Sequence, residues 1–190
     1  GCNFRCQFCQ NWDISQQRDT IAGQDMPPEK IVELAEAENA EGIAYTYTEP
    51  TIFMEYALDT AKLARKKKMF NVFVTNGYMS AQAIKEMEPV IDASRIDLKG
   101  FNPKFYSELV GGAKLEAVLS NINSLRKIMH IEIINLVIPG KNDSEDELRA
   151  LSSWVARLDK NIPVHFTGFY PSYKMMDVPP TPLETLRKAR

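Results

Sequence analysis

Three cysteines open the chain. Cys2, Cys6 and Cys9 stand in GCNFRCQFCQN with the spacing C-x3-C-x2-C, and no other cysteine follows. Four chemistries use thiols grouped this closely. A disulfide would leave one thiol free, in a sequence with no secretory signature. A structural zinc site closes with four ligands, and the two histidines, His130 and His165, stand far down the chain and form no second-half pair. A redox pair of Cys6 and Cys9 would leave Cys2 without a role. A [4Fe–4S] cube typically takes four thiolates, so three leave one iron open. An open position on a metal marks catalysis or ligand binding, the logic that separates catalytic from structural zinc. One short loop can wrap three corners of a cube, and the iron–sulfur reading fits the spacing best.

Composition bounds the rest. A chain of 190 residues is long enough for one domain that buries about 70% of its surface. Its 44% hydrophobic and 25% charged residues are ordinary for a globular protein. A net charge of -2 argues against a nucleic-acid partner, which would call for a basic excess. No run approaches the roughly 18 apolar residues of a membrane span, so no membrane partner is expected. No signal peptide pattern is visible. Three unpaired thiols are simplest in a reducing, cytoplasmic setting.

The elements that must position the cysteines alternate. Strand patterns are GIAYTYT (Gly42 to Thr48), NVFVTN (Asn71 to Asn76), SRIDLK (Ser94 to Lys99), HIEIINLVIP (His130 to Pro139) and PVHFTGF (Pro163 to Phe169). Helical stripes lie between them, notably Leu115, Val118, Leu119, Ile122, Leu125 and Met129, and then Leu148, Leu151, Val155 and Leu158. The helix after TEP is expected to bury Phe53, Tyr56 and Leu63 and to close on the RKKK run at Arg65 to Lys68, a favourable charge for a helix C-terminus. Pro27 and Pro28 precede a helix, Ser80 is a candidate N-cap, and Ser144 with Glu147 has capping-box spacing. Strands separated by single helices predict right-handed βαβ crossovers and a mostly parallel sheet. We expect one core domain over residues 1–190. Parallel α/β sheets carry function on loops after strand C-termini. The cysteine loop should therefore follow a strand, so a first strand is expected upstream of Gly1, and the last helix stops at Arg190 with no cap.

The cysteine motif, with Phe8 before its last thiol, resembles the radical S-adenosylmethionine (SAM) superfamily. The continuation CQNWD resembles the activating enzymes of glycyl radical enzymes. The longer stretches GCNFRCQFCQNWDISQ and YTYTEPT are similar to the radical SAM member of the AmmeMemoRadiSam system. The resemblance implies an α/β fold, a partial TIM-like (β/α)6 barrel lacking its first strand in this chain. It implies a [4Fe–4S] cluster held by Cys2, Cys6 and Cys9, and SAM chelated to the open iron. One electron from a flavodoxin or ferredoxin would cleave SAM to methionine and a 5′-deoxyadenosyl radical, which takes hydrogen from a substrate, in one reading a protein. The cofactors carry that chemistry while the protein binds and shields them, and no general acid–base pair is evident.

The resemblance also implies SAM contacts. Glu49, before Pro50, matches a family Glu-Pro that contacts the methionine amino group; Tyr47 and Thr48 stand where relatives more often have glycines, and the Thr48 hydroxyl could still accept from an ammonium. Asn76 in TNG matches a loop near the ribose, though Asn-Gly is also a good turn. Asp97 and Lys99 share a face by strand alternation and match a D-x-K pair directed at the ribose hydroxyls and the SAM carboxylate; a plain ion pair is the alternative. VIPGKND (Val137 to Asp143) resembles a loop close to adenine and methionine. His165 matches a histidine near bound SAM, against the simpler reading of a hydrogen-bonded strand residue. Phe8 is assigned to the adenine side or to loop packing, and Asn11 and Trp12 to bracing the loop. Met26, Met54, Met175 and Met176 read as core or loop residues. Two rival classes remain: an electron-transfer or sensing module, which would need a fourth ligand, and a non-catalytic SAM-binding protein.

Overall fold

The computed structural model describes residues 1–16 and 23–190. Five strands, β1 (Gly42–Tyr45), β2 (Phe70–Thr75), β3 (Ala93–Asp97), β4 (His130–Val137) and β5 (Val164–Gly168), form one sheet. They pair in chain order, β1-β2-β3-β4-β5, and every pairing is parallel. The helices are α1 (Trp12–Ser15), α2 (Pro28–Ala37), α3 (Met54–Lys66), α4 (Ala81–Met87), α5 (Pro103–Phe105), α6 (Leu115–Leu125), α7 (Glu145–Leu158) and α8 (Leu183–Ala189). This is the α/β arc of a partial TIM-like barrel. Among the described residues, no helix is long and apolar enough to cross a membrane.

Parallel strands buried on both faces read as continuous apolar runs. These strands alternate instead. In β4, Ile131, Ile133, Asn135 and Val137 are buried while Glu132, Ile134 and Leu136 are half-buried. One face of the sheet therefore packs under helices, where Phe73, Ile96, Ile131 and Ile133 meet Ile84, Val118, Ile122 and Leu125. The opposite face carries Arg95, His165 and Thr167, all exposed. The α6 and α7 stripes bury as their periodicity predicts, through Leu115, Val118, Ile122 and Leu125, and through Leu148, Leu151 and Val155.

Three local expectations need correction. The fully buried face of α3 is Met54, Ala57, Leu58, Thr60, Ala61 and Ala64; of the expected residues, Phe53 and Leu63 pack half-buried beside it, and Tyr56 is exposed. Small side chains let the helix approach the sheet closely, and Tyr56 turns outward to donate to the Met26 carbonyl at 2.7 Å. Second, Ser144 caps α7 by accepting from Glu147 N–H at 3.3 Å, but the Glu147 carboxylate does not reach back to complete a capping box. It accepts from Phe101 N–H at 2.8 Å and ties the loop after β3 to α7. Third, β1 ends at Tyr45, three residues before Thr48, because the chain turns at Tyr47, which lies at φ 37°. Glycine adopts that left-handed region freely. Ser80 caps α4 as expected, accepting from Ala83 N–H at 3.1 Å. The basic run ends α3, with Arg65 paired to Asp92 at 3.0 Å and Lys67 to Glu36 at 3.0 Å.

Asn71 sits fully buried inside the packed face. Asn71 donates from Nδ2 to the carbonyls of Ala61 and Val90 at 3.1 and 3.0 Å, and its Oδ1 accepts from the Tyr45 hydroxyl at 2.9 Å. It fastens β1, β2, α3 and the loop before β3 at one point. Asn71→Leu would take their partner from the buried Tyr45 hydroxyl and the Val90 carbonyl, so it should lower unfolding stability by about 3 kcal/mol. Urea denaturation followed by circular dichroism measures it.

Candidate functional site

Hydrogen bonds from distant elements hold the cysteine loop. Arg5 N–H donates to the Val110 carbonyl at 3.1 Å and Gln7 N–H to that of Leu109 at 2.9 Å. On the other side, Lys174 N–H donates to the Gln7 carbonyl at 3.0 Å, and the Ser172 hydroxyl donates to the Cys9 carbonyl at 3.1 Å. Phe4 and Phe8 anchor the loop in the core. Phe4 packs on Tyr78 and Tyr106, and Phe8 on Phe105 with ring centroids 5.6 Å apart. Trp12 stacks on Tyr173, so it braces the loop as the sequence suggested.

The loop needs a close neighbour at Gly111. That residue follows a π turn over Tyr106–Val110 at φ 89°. A Cβ there would lie 2.8 Å from the Arg5 Cβ and 3.1 Å from its Cα and N. Gly111→Ala combines that clash with a conformation that L side chains rarely adopt. The expected result is a displaced cysteine loop over an intact sheet: far-ultraviolet circular dichroism unchanged, iron content after reconstitution reduced severalfold.

All three thiols line one cavity of about 390 Å³. Its other walls are the C-terminal ends of the strands, from Thr46 to Glu49, Val74 to Asn76, Asp97 with Lys99, Leu136, and Thr167 with Gly168. Phe8 lines it too. The candidates Cys2, Cys6, Cys9, Phe8, Thr48, Glu49, Asn76, Asp97 and Lys99 are thus brought together. A wider groove of about 750 Å³ between α7, β5 and α8 touches His165 alone of the candidates. Among the described residues, no group of three or more Cys, His, Asp or Glu converges on a point where a single metal ion could sit.

Several candidates are engaged by the protein itself. Glu49 is buried, yet its charge is fully answered. Oε1 accepts from Thr51 N–H at 3.1 Å, the Thr51 hydroxyl at 2.5 Å and the Thr75 hydroxyl at 2.7 Å; Oε2 accepts from Asn76 N–H at 2.8 Å. It is a clamp between the ends of β1 and β2, not a solvated carboxylate at a helix start. Asn76 donates from Nδ2 to the Asn3 side chain at 2.7 Å and lies 3.7 Å from the Cys2 sulfur. Thr48 donates its hydroxyl to the Gly1 carbonyl. These bonds fasten the cysteine loop to the strand ends.

Asp97 and Lys99 form an ion pair at 2.7 Å on the cavity wall, with side chains 28% and 19% exposed. Burial alone would lower the lysine, but the Asp97 carboxylate and the Cys6 sulfur outweigh it and hold Lys99 above its ordinary value. Burial pushes the Cys6 thiol up to about 12, with Lys99 opposing. Burial also raises Cys2, against a hydrogen bond from Phe4 N–H.

His165 lies elsewhere. It is the register partner of Ile134 and points toward the start of the strands, where it meets Glu132 at 2.8 Å. Register sets it level with Ile134 and Asp97, which line the cavity, but its Nε2 is spent on the Glu132 carboxylate and its side chain is 48% exposed. Glu132 is held below the usual carboxylate range by that bond and, more weakly, by His130. Arg95 is the residue that the sequence reading passed over. Strand alternation puts it on the same face as Asp97, it lines the cavity, and it is register partner to Val74 and Glu132. The same period of two that marks Asp97 and Lys99 runs back through it.

Comparison with known proteins agrees with this geometry. The family model of the Radical SAM superfamily matches residues 1–151. The chain is 47% identical over 193 residues to an uncharacterized protein of Methanocaldococcus jannaschii, covering 100% of this chain and 57% of that protein. It is 24% identical over 209 residues to the pyruvate formate-lyase 1-activating enzyme of Escherichia coli, covering 84% of that enzyme. Among solved structures, Streptococcus suis SuiB bound to S-adenosylmethionine superposes with a TM-score of 0.75 at 15% identity, over 99% of this chain and 43% of SuiB. TYW1 with a lysine-pyruvate adduct bound gives 0.66 at 18% identity, over 99% of this chain and 67% of TYW1. Those two likenesses concern the fold.

Proposed function

The chain belongs to the radical SAM superfamily, and on that premise we propose that Cys2, Cys6 and Cys9 hold a [4Fe–4S] cluster with SAM in the adjoining cavity. The observation that carries the reading is the set of three free thiols on one cavity wall. Three thiolates facing one cavity are the donor set that a cube with one open iron calls for. The cluster, when bound, supplies the electron that cleaves SAM to methionine and a 5′-deoxyadenosyl radical.

This chain's residues hold and orient. Lys99 presents an ammonium to the cavity at the level of Cys6, suited to the SAM carboxylate. Asp97, beside it, offers an acceptor to the ribose hydroxyls. Glu49, Thr48 and Asn76 act one step back, by fixing the loop edges against which SAM rests, and Phe8 keeps the wall apolar behind Cys6 and Cys9. Phe4, almost fully buried, adds a second aromatic ring to the cavity lining.

Within the family we assign the chain to the AmmeMemoRadiSam type, on QNWDISQ and on YTYTEPT, where Tyr47 occupies a backbone position that glycine would suit. The second reading, a glycyl radical enzyme activase, has the 24% likeness to the E. coli enzyme behind it. A reduced flavodoxin or ferredoxin fits either as electron donor, in a reducing compartment, and residues 1–190 would form one core domain. The test uses the full-length protein, reconstituted anaerobically with iron and sulfide and reduced with dithionite. Formation of 5′-deoxyadenosine from SAM is expected. A fully loaded cluster without SAM binding would overturn the enzyme reading. A glycyl radical signal in a co-incubated glycyl radical enzyme would move the assignment to the second reading.

A further inference from the structure

The three cysteines are not equivalent. Cys6 is buried and its sulfur receives no hydrogen bond among the described residues. Cys2 receives one from Phe4 N–H at 3.4 Å and lies 3.7 Å from Asn76 Nδ2. Cys9 has a different partner, the Ser15 hydroxyl at 3.3 Å. Ser15 is 4% exposed, so water does not compete freely for it. It is the last residue of α1, a single turn in which Ser15 N–H donates to the Asn11 carbonyl at 2.8 Å, and this folds the hydroxyl back over Cys9.

The direction of that bond follows from its neighbours. A serine hydroxyl has one proton to give and two lone pairs. Gln16 Nε2 donates to Ser15 Oγ at 3.1 Å, which occupies a lone pair. The orientation of the Gln16 amide is fixed in turn, because the same nitrogen lies 3.2 Å from the Phe4 carbonyl, which can only accept. The Ser15 proton is thus left for the sulfur. A metal-bound Cys9 is a thiolate with no proton of its own, so in the loaded protein the hydroxyl can only be the donor.

We propose that Ser15, oriented by Gln16, donates a hydrogen bond to the Cys9 sulfur and raises the reduction potential of the cluster. The inference rests on the cluster assignment above. A hydrogen bond to a ligating sulfur draws charge from the metal, and the reduced cluster carries the greater negative charge, so the bond favours reduction. Ser15 is a positioning residue: it touches a ligand, not the substrate. Its effect would be to bring the cluster within reach of a weaker electron donor.

Ser15→Thr and Ser15→Val provide the test, because the two side chains are nearly isosteric and only threonine keeps the hydroxyl. The full-length variants would be reconstituted, their iron and sulfide counted, and their midpoints read by anaerobic redox titration with electron paramagnetic resonance. The valine variant should be about tenfold harder to reduce at a fixed potential, about 59 mV more negative for a one-electron couple, and threonine should restore the unmutated value. Equal midpoints in loaded valine and threonine variants would overturn the proposal. The unmutated protein gives a second reading, in case the valine variant loads poorly. After exchange into deuterium oxide its reduced cluster should show an exchangeable deuteron coupled through Cys9, additional to those from Phe4 N–H and Asn76 Nδ2 at Cys2. Its absence would equally overturn the proposal. Failure of the unmutated protein to load any cluster is a distinct result, which rejects the three-cysteine assignment itself and with it the role given to Ser15.

Discussion

Alanine at any one of Cys2, Cys6 and Cys9 should abolish cluster loading while leaving the fold in place. Two remaining thiolates cannot hold a cube that already has one open corner, and among the described residues no other Cys, His, Asp or Glu set stands ready to substitute. The fold survives because it does not depend on the thiols. Cys2 and Cys9 are half-buried, and Cys6 contributes one buried sulfur whose loss costs about 1–2 kcal/mol. Iron and sulfide analysis with a urea midpoint on the same sample separates the two effects. Normal metal content in any of the three variants would remove the basis of the assignment. Loading should also respond to acidity. Burial pushes Cys6 up to about 12, so at neutral pH its proton must leave as iron binds. Loading therefore weakens as pH falls and strengthens as pH rises, and reconstitution yields at pH 7 and 8.5 should differ in that direction.

Lys99→Met should cost SAM affinity. The pair with Asp97 is largely withdrawn from water, and removing one member of such a pair costs about 2–5 kcal/mol. Some of that loss falls on folding, because Asp97 is left without its cation. The remainder falls on the ligand, whose carboxylate loses its positive partner. A rise of roughly 30-fold or more in the SAM dissociation constant is expected, with iron content unchanged, since Lys99 meets the loop by charge and not by ligation. Equilibrium dialysis on the reconstituted protein reads the affinity and thermal unfolding reads the stability. A purely structural pair would show the stability loss with an unchanged dissociation constant. The Lys99 backbone N–H donates to the Tyr106 hydroxyl at 3.2 Å, a contact the substitution leaves alone.

The parts of the site written in local sequence were legible. The thiol spacing, the shared face of Asp97 and Lys99 and the strand-then-helix order follow from short-range geometry, and all appear in the structure. Arg95 was equally legible, since the alternation that selects Asp97 and Lys99 also selects it. His165 shows the limit of that reasoning. Alternation correctly puts it on the open face with Thr167, but its ring bonds the Glu132 carboxylate on the neighbouring strand, a partner that only the register of β4 and β5 supplies. The α3 face misled at Tyr56, because the face against the sheet is built on Ala57, Ala61 and Ala64 and a helix lying close to a sheet selects for smallness. Glu49 could not be read as a clamp, because two of its four donors come from Thr75 and Asn76, on a strand 26 and 27 residues away. Gly111, Ser172 and Lys174 carry no local mark of their role; each acts on the cysteine loop only once the whole arc is built.

That last dependence has a consequence for biosynthesis. The thiols are among the first residues of this stretch to leave the ribosome, and their supports are among the last. The Ser172 hydroxyl reaches the Cys9 carbonyl across 163 positions of sequence. At about 5–20 residues per second, translation needs about 10–30 s to cover that distance. During that interval Cys2, Cys6 and Cys9 are made but not yet cradled, open to oxidation or to capture by a stray metal. Cluster loading is therefore expected only once the loop after β5 has emerged, and a nascent chain stalled before Ser172 should carry the cysteines without the cluster.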